Sequence, residues 1–123
     1  MKIKSENLIG SALDWAVAKC EGLGDNYLKW WREGGDIRFA RCTILLNYST
    51  SWGQGGPIIE REEINLEIRE SDTRASFYRM RSNFDGKAKG YGHAYGDTPL
   101  IAAMRCYVQW KLGSEIEVPD ELV

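Results

Sequence analysis

The chain has 123 residues, enough to bury one hydrophobic core without disulfide or metal staples and too few for two domains. With 43% hydrophobic and 28% charged residues its composition excludes a disordered chain, and a formal charge of -2 supplies no field that would draw in duplex nucleic acid. No apolar run is long enough to span a bilayer, and the opening Met1-Lys2-Ile3-Lys4 is too short and too soon followed by polar residues to be a signal peptide, so a single cytoplasmic domain spanning 1–123 is expected.

The first element is a helix over 8–20. Ile9, Ala12, Leu13, Ala16, Val17 and Cys20 share one face at the i, i+3, i+4 spacing, Asn7 is placed to cap it, and Gly22 and Gly24 end it. The stretch 25–41 reads as a loop-rich insertion in which Tyr27, Trp30 and Trp31 form a short helix or turn. The β-prone run Thr-Ile-Leu-Leu-Asn-Tyr at 43–48 predicts a buried strand. Trp52-Gly53-Gln54-Gly55-Gly56-Pro57 predicts a loop, because three glycines and a proline favour tight backbone over continued regular structure.

Alternation of Ile64, Leu66 and Ile68 predicts a strand over 64–69, joined by a turn at Glu70-Ser71-Asp72-Thr73 to a second strand over 75–81 around Phe77. Asn83-Phe84-Asp85-Gly86 reads as another turn, and the glycine-punctuated, aromatic segment 87–96 as an edge strand or a flap. The last helix has the clearest signals: Thr98 as N-cap, Pro99 at the first helical position and Gly113 as the stop. Its apolar residues nearly circle the axis, so it is either central to the fold or covered by a second subunit, and a homo-oligomer is expected on that ground. A short strand at 115–118 completes an α+β fold, an antiparallel sheet of about three to five strands packed against an N-terminal and a C-terminal helix.

Three blocks carry a family resemblance: Asp14-Trp15-Ala16-Val17-Ala18-Lys19-Cys20-Glu21-Gly22, the segment from Trp52-Gly53-Gln54-Gly55-Gly56-Pro57 through Ile58-Ile59-Glu60-Arg61-Glu62, and Thr98-Pro99-Leu100-Ile101-Ala102-Ala103-Met104-Arg105-Cys106-Tyr107-Val108. Together, and in this order, the chain resembles the small phage and prophage proteins of the NinX-like family. The resemblance implies an accessory protein of a temperate phage working in the host cell cytosol, and implies no assigned activity. Residues 25–41 and 87–96 fall outside the blocks that carry it.

The candidate chemistry is that of a binding site. Amides of Gly55 and Gly56 would cradle a phosphate or a base edge, with Gln54 beside them and Trp52 stacking on a ring, although no lysine or helix follows as in a Walker loop; a structural turn is the other reading. Arg105, set in an apolar helix, needs either a carboxylate, with Asp14 the expected partner, or an anionic ligand, for which Arg61 is a second candidate. His93, between Tyr91 and Tyr95, suits an aromatic flap closing on a planar ligand better than a general base, since no nucleophile motif accompanies it. Glu60, Glu62 and Glu63 read as a solvated turn, and Cys20, Cys42 and Cys106, without a Cys-x-x-Cys pair, as reduced thiols rather than zinc ligands.

The lysine-poor last helix also counts against a double-stranded RNA-binding domain. The expected function is therefore non-enzymatic: binding and sequestering a small nucleotide-like molecule, a host immune signal in an anti-defence role, through Trp52, Gln54, Gly55, Gly56, Arg61, Tyr91, His93, Tyr95 and Arg105. No catalytic residue, metal or cofactor is expected. The alternative is a protein–protein inhibitor of a host factor, with a nucleotide-degrading enzyme a third reading.

Overall fold

The computed structural model describes residues 1–32, 47–79 and 90–123. Strand β1 (Lys2–Lys4) leads through a 3-10 turn (Ser5–Asn7) into helix α1 (Gly10–Cys20) and helix α2 (Gly24–Arg32). Helix α3 (Trp52–Arg61) precedes strands β2 (Asn65–Ile68), β3 (Thr73–Arg79) and β4 (Gly90–Gly96), and helix α4 (Pro99–Leu112) and strand β5 (Glu115–Glu117) follow, with a last 3-10 turn at Asp120–Leu122. The fold is α+β. β2, β3 and β4 form an antiparallel sheet in that order, and β1 pairs antiparallel with β5.

Helix α4 is the hub. Its start matches the sequence, with Thr98 Oγ1 accepting from the Ile101 N–H at 3.1 Å, Pro99 at the first turn and Gly113, at φ 97°, beyond the end. Leu100, Ala102, Ala103, Met104, Cys106, Tyr107 and Val108 are all buried. The sheet, α1, α3 and the 3-10 turn at Ser5–Asn7 all pack against the helix. Apolar residues around the axis are thus covered within the chain, and a second subunit is not needed to explain them.

Helix α1 starts two residues later than expected, behind Ile9 and without a side-chain cap from Asn7. Its end follows the glycine reading closely. Gly22 adopts φ 80°, its N–H reaches the Lys19 carbonyl at 3.1 Å, and the Leu23 N–H reaches the Ala18 carbonyl at 2.7 Å, the two bonds of a Schellman motif. Within 25–41 the described part is helical, as α2, while 33–41 lie outside the described residues. So do 43–46 of the expected strand at 43–48, whose remaining Tyr48 is in a turn; the turn at 83–86, residues 80–81 and 87–89, and Cys42 lie outside as well.

The loop expected at 52–57 is instead the first half of α3. Three glycines and a proline oppose a helix by about 1 kcal/mol per Gly and about 3 kcal/mol for Pro, so packing has to overcome the local preference. Gly55 shows how. A Cβ there would stand 2.6 Å from Leu100 Cδ2 and 2.9 Å from the Tyr48 carbonyl oxygen, so only glycine lets α3 lie this close to α4. Ile58 is buried one turn later, the Gln54 and Gly55 N–H groups bond the Ser51 carbonyl, and the carbonyl that Pro57 leaves without a helical donor belongs to exposed Gly53. The helix closes on Glu63, at φ 53°, with the Ile64 N–H on the Ile59 carbonyl at 3.0 Å.

The glycines of β4 serve the same purpose. A Cβ at Gly96 would meet the Ala102 nitrogen at 2.6 Å, and one at Gly92 would enter the Phe77 ring, which lies across it and packs edge-on against Trp110 at 4.8 Å. The segment is therefore an edge strand of the described sheet, paired with β3 from Gly90 to Gly96, and its small residues form the surface on which α4 rests.

Two glycines one residue apart separate the helical reading of 52–57 from the loop reading. A methyl group added at Gly56 would meet nothing within 4 Å, so Gly56→Ala is expected to raise stability by up to about 1 kcal/mol through helix propensity. Gly55→Ala is expected to lower it by about 1–3 kcal/mol through overpacking. Urea unfolding monitored by tryptophan fluorescence distinguishes them, and equal effects would contradict the helix.

Candidate functional site

On α4 the buried faces leave one strip less covered, bearing Arg105 and, one turn on, Gln109. Arg105 does not pair with Asp14, as expected from charge. Its Nε donates to the Leu8 carbonyl and its Nη1 to the Tyr95 carbonyl, both at 2.7 Å, so the guanidinium joins the chain just ahead of α1 to the end of β4. Two carbonyl dipoles orient the cation without neutralising it, and they use two of its five N–H donors. Burial lowers the Arg105 pKa and the charge of Asp97 acts against that, while the group stays protonated as arginines do.

Asp14 has a different task. It is buried and accepts the Ser49 N–H through Oδ1 at 2.8 Å, fixing the turn that leads into α3. Burial raises its pKa, with the Ser49 hydrogen bonds pulling the other way.

Beside Arg105 lies a cleft of ≈ 500 Å³. Glu6 and Asn7 line it from the 3-10 turn, Asp72 from the β2–β3 turn, His93, Ala94, Tyr95 and Gly96 from β4, Asp97 from the link to α4, and Arg105 and Gln109 from α4. The His93 and Tyr95 rings meet edge to face at 5.6 Å, and the Arg69 guanidinium sits 5.0 Å from the Tyr95 ring centre. Arg69 is itself held by Asp72, through Nε at 2.8 Å and Nη2 at 2.6 Å. Gln109 Oε1 is buried and accepts no hydrogen bond among the described residues, and the same side chain borders a smaller cavity of ≈ 240 Å³ with Ser5 and Ser114.

The structure thus brings His93, Tyr95 and Arg105 together and sets Trp52, Gln54, Gly55, Gly56 and Arg61 apart from them. Trp52, Gln54, Gly55 and Gly56 lie on α3, and none lines the cleft. Gln54 Oε1 accepts the Asn47 N–H at 3.0 Å, Gly55 is pressed against α4, and Trp52 is 55% exposed. Tyr91 is opposite Tyr78 on β4, two residues from His93. Glu6, Asn7, Asp72, Asp97 and Gln109 are lining residues that the sequence reading misses. Gln109 has a readable signal, a second polar residue at i+4 from Arg105 in an otherwise apolar helix.

Arg61 is committed elsewhere. It bonds Glu21 through Nη1 at 3.0 Å and Nη2 at 2.9 Å, Glu62 through Nε at 3.0 Å, and the Tyr107 hydroxyl at 3.1 Å, while that hydroxyl donates to Glu21 Oε2 at 2.7 Å. Ends of α1 and α3 are clamped to α4 in this way. Glu62 is buried between Arg61 and Lys111 and is no solvated turn residue. Among the described residues no group of three or more His, Cys, Asp or Glu is placed to hold a metal ion, and no helix is long and apolar enough to cross a membrane. Burial pushes the Cys20 and Cys106 thiols up to about 12, away from the reactive thiolate form.

Fold and site together define a small α+β domain with a polar cleft between the edge of its sheet and its central helix. The family model described as "Bacteriophage P22, NinX" matches residues 4–111, and the chain belongs to this family of phage proteins. Comparison with curated proteins gives no match.

The clamp predicts an acid-sensitive contribution to stability. Burial works to raise the Glu21 pKa, but hydrogen bonds from Arg61 and Tyr107 and the nearby positive charges outweigh it and the net shift is downward. A carboxyl with a lowered folded pKa contributes fully above its unfolded value of about 4.3 and loses that contribution as pH falls through the folded value. Glu21→Gln is expected to cost about 1–3 kcal/mol at neutral pH and to flatten the loss of stability below about pH 4.3. Urea unfolding as a function of pH measures both, and an unchanged acid limb would contradict the role given to Glu21.

Proposed function

We propose that this phage protein is a non-enzymatic accessory factor that binds and sequesters a small nucleotide-like molecule in the cleft beside Arg105, acting in the host cytosol against a host immune signal. The observation that carries the reading is the meeting of an oriented guanidinium, an exposed tyrosine ring, a buried amide acceptor and carboxylates around one volume of ≈ 500 Å³. That volume lies within the range of about 300–1,000 Å³ that holds small molecules. Tyr95, 41% exposed, offers a face for a base to stack on, and the unspent N–H groups of Arg105 offer an oxyanion or ring-acceptor site. Carboxylates at Glu6 and Asp97 suit amino or hydroxyl groups on the same ligand.

A host-protein inhibitor is the second reading, favoured by exposed Trp52 at the start of α3 and by exposed Ile9 and Ile68. These three are large apolar groups, and none lines the cleft beside Arg105.

Thermal denaturation of the full chain with nucleosides, mononucleotides, cyclic nucleotides and ADP-ribose derivatives, with mass spectrometry of anything released on denaturation, separates the two. A ligand present at a hundred times its Kd is expected to add about 2.7 kcal/mol of stability. Tyr95→Ala is expected to weaken that ligand by about 1–3 kcal/mol, the worth of one base stack. No shift and no retained molecule, with stoichiometric co-purification of one host protein, would replace this reading by the second.

A further inference from the structure

We infer that the molecule held in this cleft presents N–H or O–H donors to its carboxylates and carries at most one negative charge, as a nucleoside or a cyclic mononucleotide does and a nucleoside di- or triphosphate does not. The inference rests on the reading that the cleft binds a nucleotide-like ligand, and narrows it by charge.

Charge counting around the cleft gives the reason. Three carboxylates line it, Glu6, Asp72 and Asp97, against the single guanidinium of Arg105. Asp72 is answered by Arg69 at 2.6 Å, from the strand side. Glu6 and Asp97 have no ion pair among the described residues and the charge of Asp97 is felt at Arg105, so the described lining keeps an excess of one carboxylate over its one guanidinium. No lysine is among the described residues lining it. In the first turn of α4 the Ile101 N–H is already taken by Thr98 Oγ1 and the Ala102 N–H by the Thr98 carbonyl. A single oxyanion has a place on Arg105. A second or third phosphate would have to sit within the repulsion of Glu6 and Asp97 without a counter-cation.

Hydrogen-bond counting points the same way. Gln109 Oε1 is a buried acceptor without a donor among the described residues, a state that native interiors rarely leave unanswered. At the cleft itself the Glu6 and Asp97 carboxylates are acceptors for a ligand's donors, beside the unspent N–H groups of Arg105. Exocyclic amino groups and ribose hydroxyls supply such donors; phosphate oxygens, which only accept, do not.

Isothermal titration calorimetry of the full chain tests this with three ligands sharing one base: adenosine, adenosine 3′,5′-cyclic monophosphate and ATP, and the guanosine set in parallel. Affinity is expected to fall by about tenfold for each phosphate charge added beyond the first. Replacing both carboxylates, Glu6→Gln with Asp97→Asn, is expected to narrow the gap between cyclic monophosphate and triphosphate by at least about tenfold. Triphosphate binding as tight as that of the cyclic monophosphate, or a gap unchanged in the double variant, would overturn the inference and leave the nucleotide-binding reading standing. Absence of binding by every member of both sets, and of any shift with the wider ligand panel, in a protein that melts cooperatively, would overturn both.

Discussion

Everything in this fold follows from a helix that cannot face water on most of its circumference. From Leu100 to Val108 the α4 side chains are buried on nearly every side, and such a helix is stable only when other elements enclose it. The enclosure is made by close approach. β4 comes in on Gly96, α3 on Gly55, and α1 packs its Leu13, Ala16 and Val17 face into the same core. At Gly96 and Gly55 the approach leaves no room for a methyl group against α4, and that is why glycine stands at these two positions.

Where the enclosure ends, the cleft begins. Arg105 and Gln109 occupy a strip less covered than the rest of the helix, and the guanidinium is tolerated there because the Leu8 and Tyr95 carbonyl oxygens reach it. The same guanidinium that borders the open volume also ties Leu8 to Tyr95 across α4. Its position is therefore set before any ligand arrives, and a ligand meeting it has little side-chain ordering left to do. By contrast, Arg61 is held by two carboxylates and a phenol, so its charge is spent within the protein.

The sequence is legible where local chemistry and packing agree. Thr98-Pro99 and Gly113 bound α4, Gly22 ends α1, and the alternation around Leu66 with the turn through Asp72 gives the β2–β3 hairpin. Residues 52–57 mislead because propensity and packing disagree there. A glycine required for a close helix contact is indistinguishable in sequence from a glycine required for a turn. β1 escapes notice since Lys2-Ile3-Lys4 has a single apolar residue, and Ile3 reveals its role only opposite Ile116. Charge alone pairs Arg105 with Asp14, whereas its partners are carbonyls, which every residue has and no sequence marks. His93, Tyr95 and Arg105 are legible as polar or aromatic residues out of keeping with their surroundings; Glu6 and Asp97 are not, being ordinary surface carboxylates until the fold sets them at one opening.

The extent of the family match bears on what is shared within it. Residues 4–111 contain every described residue that lines the larger cleft, from Glu6 to Gln109, together with the Glu21, Arg61 and Tyr107 clamp. β5 and the last 3-10 turn lie beyond it. All of the hub helix but Leu112, its contacts at Gly55 and Gly96 and the strip bearing Arg105 and Gln109 therefore belong to the matched segment, while the β1–β5 pair needs residues outside it. A helix buried on most of its circumference and polar along one strip borders an opening there, and changes at Glu6 or Asp97 would alter the charge of that opening without touching the apolar packing around the helix.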